Sequence, residues 1–265
     1  MKIAEVVLWE KELAVARAIA KEAGIIMLRY FDGGQQTVRK EDGTPLTIAD
    51  TTINRLVIER LQEAFPEDGV IGEEESTCEY GMGRVWLCDP IDGTKAYTWG
   101  VPTAMFSLGL VWDGVPVVGV TYDPFLDRMY TAAKGQGAFC NDEPLQVSQK
   151  GFTDGIVAIS SNLEKLRSDS VFFESLVAEH IRTASFSGAV YKCALIARGR
   201  LVAYTEDLVN AYDMAASQVI VEEAGGRITA LDGGLLDYSK PFRGAAVSNG
   251  AAHDELVRHI QLDRK

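Results

Sequence analysis

The amino-acid sequence predicts a layered α/β fold. Helical and strand patterns alternate along the chain, and 47% of its 265 residues are hydrophobic, which is enough for a large core. Residues 1–150 begin with two helical patterns and continue with closely spaced strands, whereas residues 151–265 alternate strands with helices. We therefore expect an N-terminal α+β half over 1–150 and a C-terminal α/β half over 151–265.

The N-terminal half begins with two expected helices, over residues 3–30 and 47–65. Thr47 and Asp50 have the spacing of a capping signature at the start of the second helix. Further along, Asp113-Gly114 is a strong signal for a tight hairpin between two strands. The strands expected in this region cover residues 104–112, 116–122 and 128–133.

Short apolar runs separated by turn residues divide the C-terminal half into alternating elements. The strands expected here cover residues 156–160, 182–185 and 201–204. One helix is expected over 169–180 and a second is expected to end at 198. A third helix carries Asp213 and stops at Gly225-Gly226, because glycine commonly ends helices.

The most informative segment is Trp86-Leu87-Cys88-Asp89-Pro90-Ile91-Asp92-Gly93-Thr94, in which a hydrophobic strand leads into two carboxylates. Pro90 has a fixed φ and no N–H, so it bends the backbone and lets the Ile91 carbonyl and Asp92 carboxylate face one point. Oxygen ligands of this kind suit Mg²⁺ or Mn²⁺ rather than zinc. An isolated Asp-x-x-Asp pattern is also typical of an acidic turn that caps a helix.

Three other acidic elements accompany this segment. Gly72-Glu73-Glu74-Glu75 follows a short apolar run, and because side chains alternate in an extended segment we expect Glu73 to point inward. Asp213 lies in the first turn of its helix, and Asp50 lies at the capping position of the earlier one. Each element alone also fits a solvated face or an ordinary helix cap.

Together these elements resemble the inositol monophosphatase family, the Mg²⁺-dependent, lithium-sensitive phosphomonoesterases related to fructose bisphosphatase. The resemblance covers nearly the whole chain. It implies a five-layer αβαβα sandwich with the metal site between its two halves, and it implies a homodimer. The segments that carry it are 40–50, 71–74, 86–94, 213–226 and 248–250.

The resemblance also implies a role for each acidic element. The resemblance implies about two or three bound Mg²⁺ ions, with Mn²⁺ as a possible substitute. The implied metal ligands are Glu73, Asp89, the Ile91 carbonyl, Asp92 and Asp213. Asp50 and Thr94 would form a dyad that takes a proton from the attacking water, which Glu73 also touches. The residues implied to contact the substrate are Asp92, Gly93, Thr94, Ser187, Gly188, Ala189, Glu206 and Asp213.

Elementary electrostatics and composition agree with this interpretation. Converging carboxylates repel one another, and divalent ions remove that repulsion and create a site for a phosphate group.

A formal net charge of −12 argues against nucleic acid or an anionic membrane as a partner. No stretch has the length of a membrane span, and the N-terminus lacks the apolar core of a signal peptide. Scattered cysteines indicate buried thiols in a reducing cytoplasm; they are Cys78, Cys88, Cys140 and Cys193.

We expect hydrolysis of a small phosphate monoester, with inositol monophosphate or a related polyol phosphate as the first candidate. Histidinol-phosphate phosphatases and nucleotide-sulfate phosphatases resemble the same motifs, and Lys192 lies where the latter often carry a lysine. The departures from the family pattern are Tyr212 in place of a Trp, Ala96-Tyr97 in place of Asn-Phe, and the inverted order of Ser187-Gly188. A non-catalytic regulator that binds metal or phosphate on the same fold is the remaining alternative.

Overall fold

The computed structural model describes residues 9–31, 37–39, 45–159 and 170–262. The helices in these ranges are α1 (Glu10–Phe31), α2 (Ile48–Ala64), α3 (Thr94–Thr98), α4 (Ser170–Ala178), α5 (Ala189–Ala197), α6 (Ala211–Glu223) and α7 (His253–Ile260). The first nine strands are β1 (Thr37–Arg39), β2 (Pro45–Thr47), β3 (Gly69–Gly72), β4 (Arg84–Asp92), β5 (Met105–Trp112), β6 (Val115–Asp123), β7 (Arg128–Ala133), β8 (Ala138–Cys140) and β9 (Glu143–Pro144). The remaining strands are β10 (Ile156–Ile159), β11 (Arg182–Ser185), β12 (Ala203–Glu206), β13 (Arg227–Thr229) and β14 (Ala245–Ser248).

Two large sheets organise these elements into layers. The first has seven strands in the order β3-β4-β5-β6-β7-β8-β9, and the second has five strands in the order β11-β10-β12-β14-β13. One apolar core joins α1 and α2 to the outer face of the first sheet, and a second places α5 and α6 between the sheets. A third core joins α4 and α7 to the outer face of the second sheet. The predicted five-layer αβαβα sandwich is confirmed.

All strands of the first sheet precede residue 150 and all strands of the second follow it. The division into two halves at that residue stays a prediction. None of the described helices combines the length and the apolar character that crossing a lipid bilayer requires.

Most predicted elements agree with the observed ones to within a few residues. The predicted first helix begins at Glu10 in the described chain, and residues 3–8 lie outside it. The described ranges also leave out residues 40–44, which begin the segment 40–50 named above, as well as Ser160 and residue 169. The strand predicted at 201–204 is wrong in its bounds, since β12 spans Ala203–Glu206. The backbone N–H of Leu201 still donates to the Leu195 carbonyl at 3.4 Å, so Leu201 belongs to the turn that ends α5.

A close approach between α6 and the first sheet determines where Asp213 lies. Gly109 and Gly119 are neighbours on β5 and β6. A Cβ atom on Gly109 would lie 2.6 Å from the Ala216 nitrogen, and one on Gly119 would lie 2.3 Å from the Ala216 oxygen. Only glycine leaves room for backbone this close. The small residues therefore let α6 lie directly on the sheet, with Asp213 in its first turn.

Strand β4 changes its pairing where the acidic motif begins. Its register with β5 is regular as far as Asp89, which pairs with Ser107, and it shifts before Asp92, which pairs with Met105. Pro90 lies in this irregular stretch, where the missing N–H is tolerated. The bulge lets the carboxylates of Asp89 and Asp92 reach the same region. The convergence predicted from Pro90, of the Ile91 carbonyl with the Asp92 carboxylate, stays a prediction.

Candidate active site

Three aspartates converge between the two sheets. Asp89 and Asp92 come from the end of β4, and Asp213 comes from the first turn of α6. Each offers a carboxylate oxygen, and these oxygens all lie within 4.8 Å of one another. The side chains are only 2%, 6% and 9% exposed, respectively. We call these three residues the aspartate cluster.

The aspartate cluster carries an unbalanced negative charge. Burial raises the pKa of Asp89 well above its ordinary range, and the charges of Glu73 and the other two aspartates raise it further. Burial likewise raises the pKa of Asp92 to about 6 and that of Asp213 to about 8. No ion pair to the cluster occurs within the described ranges. A set of buried, unpaired carboxylates is a fitting donor set for a hard divalent cation, which would favour their charged forms.

Asp92 also holds the start of α5. Its carboxylate accepts hydrogen bonds from the backbone N–H groups of Ala189 and Val190, both at 2.9 Å. Gly188, which precedes the helix, has a φ of +89°, and a Cβ atom there would lie 2.6 Å from Asp92 Oδ2. Glycine is therefore required at this position for two reasons. One residue of the aspartate cluster thus connects the end of β4 to the helix between the sheets.

Backbone and hydroxyl groups complete the surroundings of the aspartate cluster. The N–H of Ile91 donates to Asp89 Oδ1 at 3.0 Å. The Thr94 hydroxyl donates to the Ile91 carbonyl oxygen at 2.9 Å. Glu73 is half-buried, and its backbone N–H donates to the Cys88 carbonyl at 3.0 Å. Glu73 therefore lies beside the end of β4, close enough to raise the pKa of Asp89.

Asp50 and Thr94 do not form the predicted dyad hydrogen bond in this structure. Asp50 Oδ2 accepts hydrogen bonds from Thr47 N at 2.7 Å and Thr47 Oγ1 at 2.6 Å, as the helix cap requires. The Thr94 hydroxyl donates its hydrogen bond to the nearby Ile91 carbonyl instead. Asp50 Oδ1 is buried and has no hydrogen-bond partner in the part of the chain that the structure describes. Burial, which is the largest cause, raises the pKa of Asp50 to about 7.

The loop that carries Glu73 has a support that the sequence analysis missed. Asn54 is 2% exposed, and its Nδ2 donates to the Glu75 carbonyl at 2.9 Å. Its Oδ1 accepts from the Glu74 N–H at 3.4 Å, and a Cβ atom on Gly72 would lie 2.1 Å from that oxygen. The available signal was an amide four residues after Asp50, because that spacing places both side chains on one helix face.

A cavity of about 240 Å³, which we call the α5 cavity, opens beside the aspartate cluster. It brings together most of the predicted substrate residues with Asp92 and Asp213, while Thr94 does not line it. The predicted residues in its wall are Asp92, Gly93, Ser187, Gly188, Ala189, Glu206 and Asp213. Its other lining residues are Phe186, Lys192, Tyr204, Leu208 and Val209. The signal for Lys192 was a single charge in the otherwise apolar helix α5.

Comparisons with known proteins give a consistent result. The model of the inositol monophosphatase family matches residues 8–263. Histidinol-phosphatase from Mycobacterium tuberculosis is 34% identical over 265 residues, covering 94% of this chain and 97% of that protein. Inositol monophosphatase 1 from Sus scrofa is 31% identical over 265 residues, covering 96% and 95%. The solved structure of Thermotoga maritima IMPase superimposes with a TM-score of 0.86 at 25% identity, covering 96% of this chain and 98% of that one.

Proposed function

The chain belongs to the inositol monophosphatase family and is a phosphoric monoester hydrolase, and we propose that it uses Mg²⁺ to hydrolyse inositol monophosphate or a related polyol phosphate. The observation that carries this proposal is the aspartate cluster at the wall of the α5 cavity. Buried carboxylates in that number need a cation, and a dication beside a cavity attracts a phosphate group.

We assign the metal ligands to Glu73, Asp89, the Ile91 carbonyl, Asp92 and Asp213, with Mn²⁺ as a possible substitute for Mg²⁺. When bound, Mg²⁺ supplies Lewis acidity toward water and toward the phosphoryl oxygens. Phosphoryl transfer depends mainly on positioning and on such charge stabilisation, because little other chemistry is left to the protein. The backbone N–H groups of Gly93 and Thr94 are proposed to hold the phosphate.

We assign proton removal from the attacking water to Thr94 and Asp50, with Glu73 near the same water. Asp50 Oδ1 supports this role, because it is a buried acceptor to which no described residue donates. Its raised pKa of about 7 suits a general base near neutral pH. The assignment requires the Thr94 hydroxyl to leave the Ile91 carbonyl, so a change of hydrogen-bond partner is part of the proposal.

The second candidate substrate is histidinol phosphate. Two relatives named histidinol-phosphatase, from Mycobacterium tuberculosis and Chlorobaculum parvum, are 34% and 32% identical to this chain. Relatives named inositol monophosphatase reach similar identities, such as the 31% of the Sus scrofa protein. Identity of this order does not separate the two alcohol groups, so the α5 cavity has to be tested directly.

The test is phosphate release from a panel of esters with Mg²⁺ and with excess chelator. The panel contains inositol 1-phosphate, histidinol phosphate, fructose 1,6-bisphosphate and adenosine 3′,5′-bisphosphate. We expect turnover to disappear in chelator and return with Mg²⁺, with inositol 1-phosphate the best substrate. Ca²⁺ should inhibit, because its longer bonds and looser geometry displace the reacting groups. Full turnover in excess chelator would contradict the metal mechanism.

A further inference from the structure

Lys192 lies at the wall of the α5 cavity with no oxygen partner for its ammonium group within the described ranges. The residue lies on α5 and is 3% exposed. Its Nζ lies 4.3 Å from the centroid of the Tyr204 ring. Among the residues that the structure describes, Nζ makes no hydrogen bond and no ion pair. A buried cation without hydrogen bonds is costly, so a structural role alone does not explain it.

The contrast with Lys21 shows what a structural lysine looks like in this protein. Lys21 Nζ donates to the Tyr122 hydroxyl at 3.0 Å and pairs with Asp127, and it also lies over the Tyr122 ring. Lys192 has the ring contact, but no described residue supplies it with an oxygen partner. Its ammonium donors are therefore left for a group that enters the cavity.

The surroundings of Lys192 act on its ammonium group in opposite directions. Burial lowers the pKa of Lys192, while the charges of Glu206 and Asp92, in that order, oppose this shift and favour the ammonium form. The Tyr204 ring adds an attraction that holds the cation at the wall. The α5 cavity thus presents a donor at Lys192 and an acceptor at Glu206, with the aspartate cluster at one side.

We propose that Lys192 is a specificity-determining residue that donates hydrogen bonds to an oxygen of the substrate's alcohol portion. It selects esters whose alcohol portion carries hydroxyl or anionic oxygens over esters that carry an ammonium group. An ammonium group near Lys192 is repelled, and an alcohol portion without oxygens leaves the buried cation unpaired. This inference rests on the proposed function and favours a polyol phosphate over histidinol phosphate.

The main test compares wild type with Lys192→Met, which keeps an unbranched apolar stem and removes the charge. The measured quantity is the ratio of kcat/KM for inositol 1-phosphate to kcat/KM for phenyl phosphate, whose alcohol portion carries no further oxygen for Lys192 to contact. We expect this ratio to fall by about 10- to 100-fold. The matched control is Arg198→Gln, which removes a positive charge at the end of the same helix outside the α5 cavity, and its ratio should stay unchanged.

Two further measurements identify the oxygen that Lys192 contacts. Lys192→Gln keeps a neutral donor, so it should restore part of the ratio for inositol 1-phosphate if the acceptor is a hydroxyl. It should restore nothing for fructose 1,6-bisphosphate if the acceptor is anionic.

The repulsion of an ammonium group is tested separately. The ratio of histidinol phosphate turnover to inositol 1-phosphate turnover should rise in Lys192→Met, because the repelling charge is gone.

The outcomes separate this inference from the proposed function. Absence of Mg²⁺-dependent phosphate release from every ester by the wild type contradicts the proposed function itself. Normal wild-type turnover with an equal fall for all esters in Lys192→Met overturns only the role of Lys192. If thermal unfolding shows that the Met variant does not fold, Lys192→Arg and Lys192→Gln give the same comparison. Equal ratios in those two variants then overturn the inference.

Discussion

Among the residues that the structure describes, two groups of side chains could hold a metal ion by geometry, and they differ in how their charge is balanced. The first is the aspartate cluster between the sheets. The second, which we call the outer cluster, consists of Glu179, Glu255 and His259 near α4 and α7, and its ligand atoms also lie within 4.8 Å of one another. Arg258 Nη2 lies 3.2 Å from Glu179 Oε1 and 3.6 Å from Glu255 Oε1. The guanidinium group of Arg258 therefore already balances negative charge of the outer cluster.

Both ring nitrogens of His259, the histidine of the outer cluster, already take part in hydrogen bonds. Arg258 Nη2 donates to His259 Nε2 at 2.9 Å, so the Nδ1 proton points to Ser175 Oγ at 2.6 Å. Burial lowers the pKa of His259, and the ring stacks on Phe152. Neither ring nitrogen has a lone pair left for an ion. The two clusters share the spacing of their ligand atoms, but within the described ranges only the outer cluster is paired with an arginine, so we expect the metal at the aspartate cluster.

The largest expected effect comes from neutralising one residue in each cluster. Asp92→Asn should lower kcat/KM by at least about a thousandfold, because it removes a proposed metal ligand that also holds α5. In wild type, Mg²⁺ at 100 times its Kd should stabilise the fold by about 2.7 kcal/mol, and the variant should lose most of this shift at the same concentration. The matched control, Glu255→Gln, should change neither quantity. Equal effects of the two substitutions would remove the distinction between the clusters.

An intermediate effect is expected from two threonines that make the same local hydrogen bond. The Thr94 hydroxyl donates to Ile91 O and the Thr98 hydroxyl donates to Lys95 O, both at 2.9 Å. Thr94→Ala should slow the chemical step by roughly a hundredfold to ten-thousandfold while phosphate binding survives. Thr98→Ala should leave single-turnover rates unchanged. Near-normal turnover of Thr94→Ala would exclude the proposed role with Asp50.

The smallest expected effect is a pH dependence of stability in the outer layers. His253 is buried, and its ring nitrogens contact Ser248 Oγ at 2.9 Å and Thr229 Oγ1 at 3.0 Å. Burial lowers its pKa from 6.5 to about 4. The unfolded chain therefore takes up a proton below pH 6.5 that the folded chain does not bind, so the free energy of unfolding falls as the pH approaches 4. Denaturant titrations should show a smaller loss in His253→Gln.

The aspartate cluster and Asp50 should show the opposite sign in the same titrations. The raised pKa values of Asp213 and Asp50, about 8 and about 7, mean that the folded protein holds protons that the unfolded chain releases. Their contribution to stability is complete below pH 3.8 and is lost as the pH rises through those values. In chelator we expect this loss above neutral pH, and Mg²⁺ should suppress it. An identical pH profile with chelator and with Mg²⁺ would argue against a cation at the cluster.

The sequence by itself determined the local features of the site. The apolar run before Asp89, the fixed φ of Pro90 and the cap at Thr47 depend on neighbouring residues, so their patterns predicted β4, its bend and the start of α2. The five-layer fold was predicted from the resemblance carried by the same motifs. The proposed roles of the site residues stay predictions until the substitutions above are made.

Only the tertiary structure decided which distant groups meet and which hydrogen bonds form. Gly109 and Gly119 let α6 approach the sheet, and that approach brings Asp213 to Asp89. Thr94 bonds to Ile91 rather than to Asp50, and Lys192 lines a cavity near the charges of Glu206 and Asp92. The physical reason is that sequence patterns describe one element at a time, whereas burial, repulsion between charges and the choice among hydrogen-bond partners depend on how elements pack together.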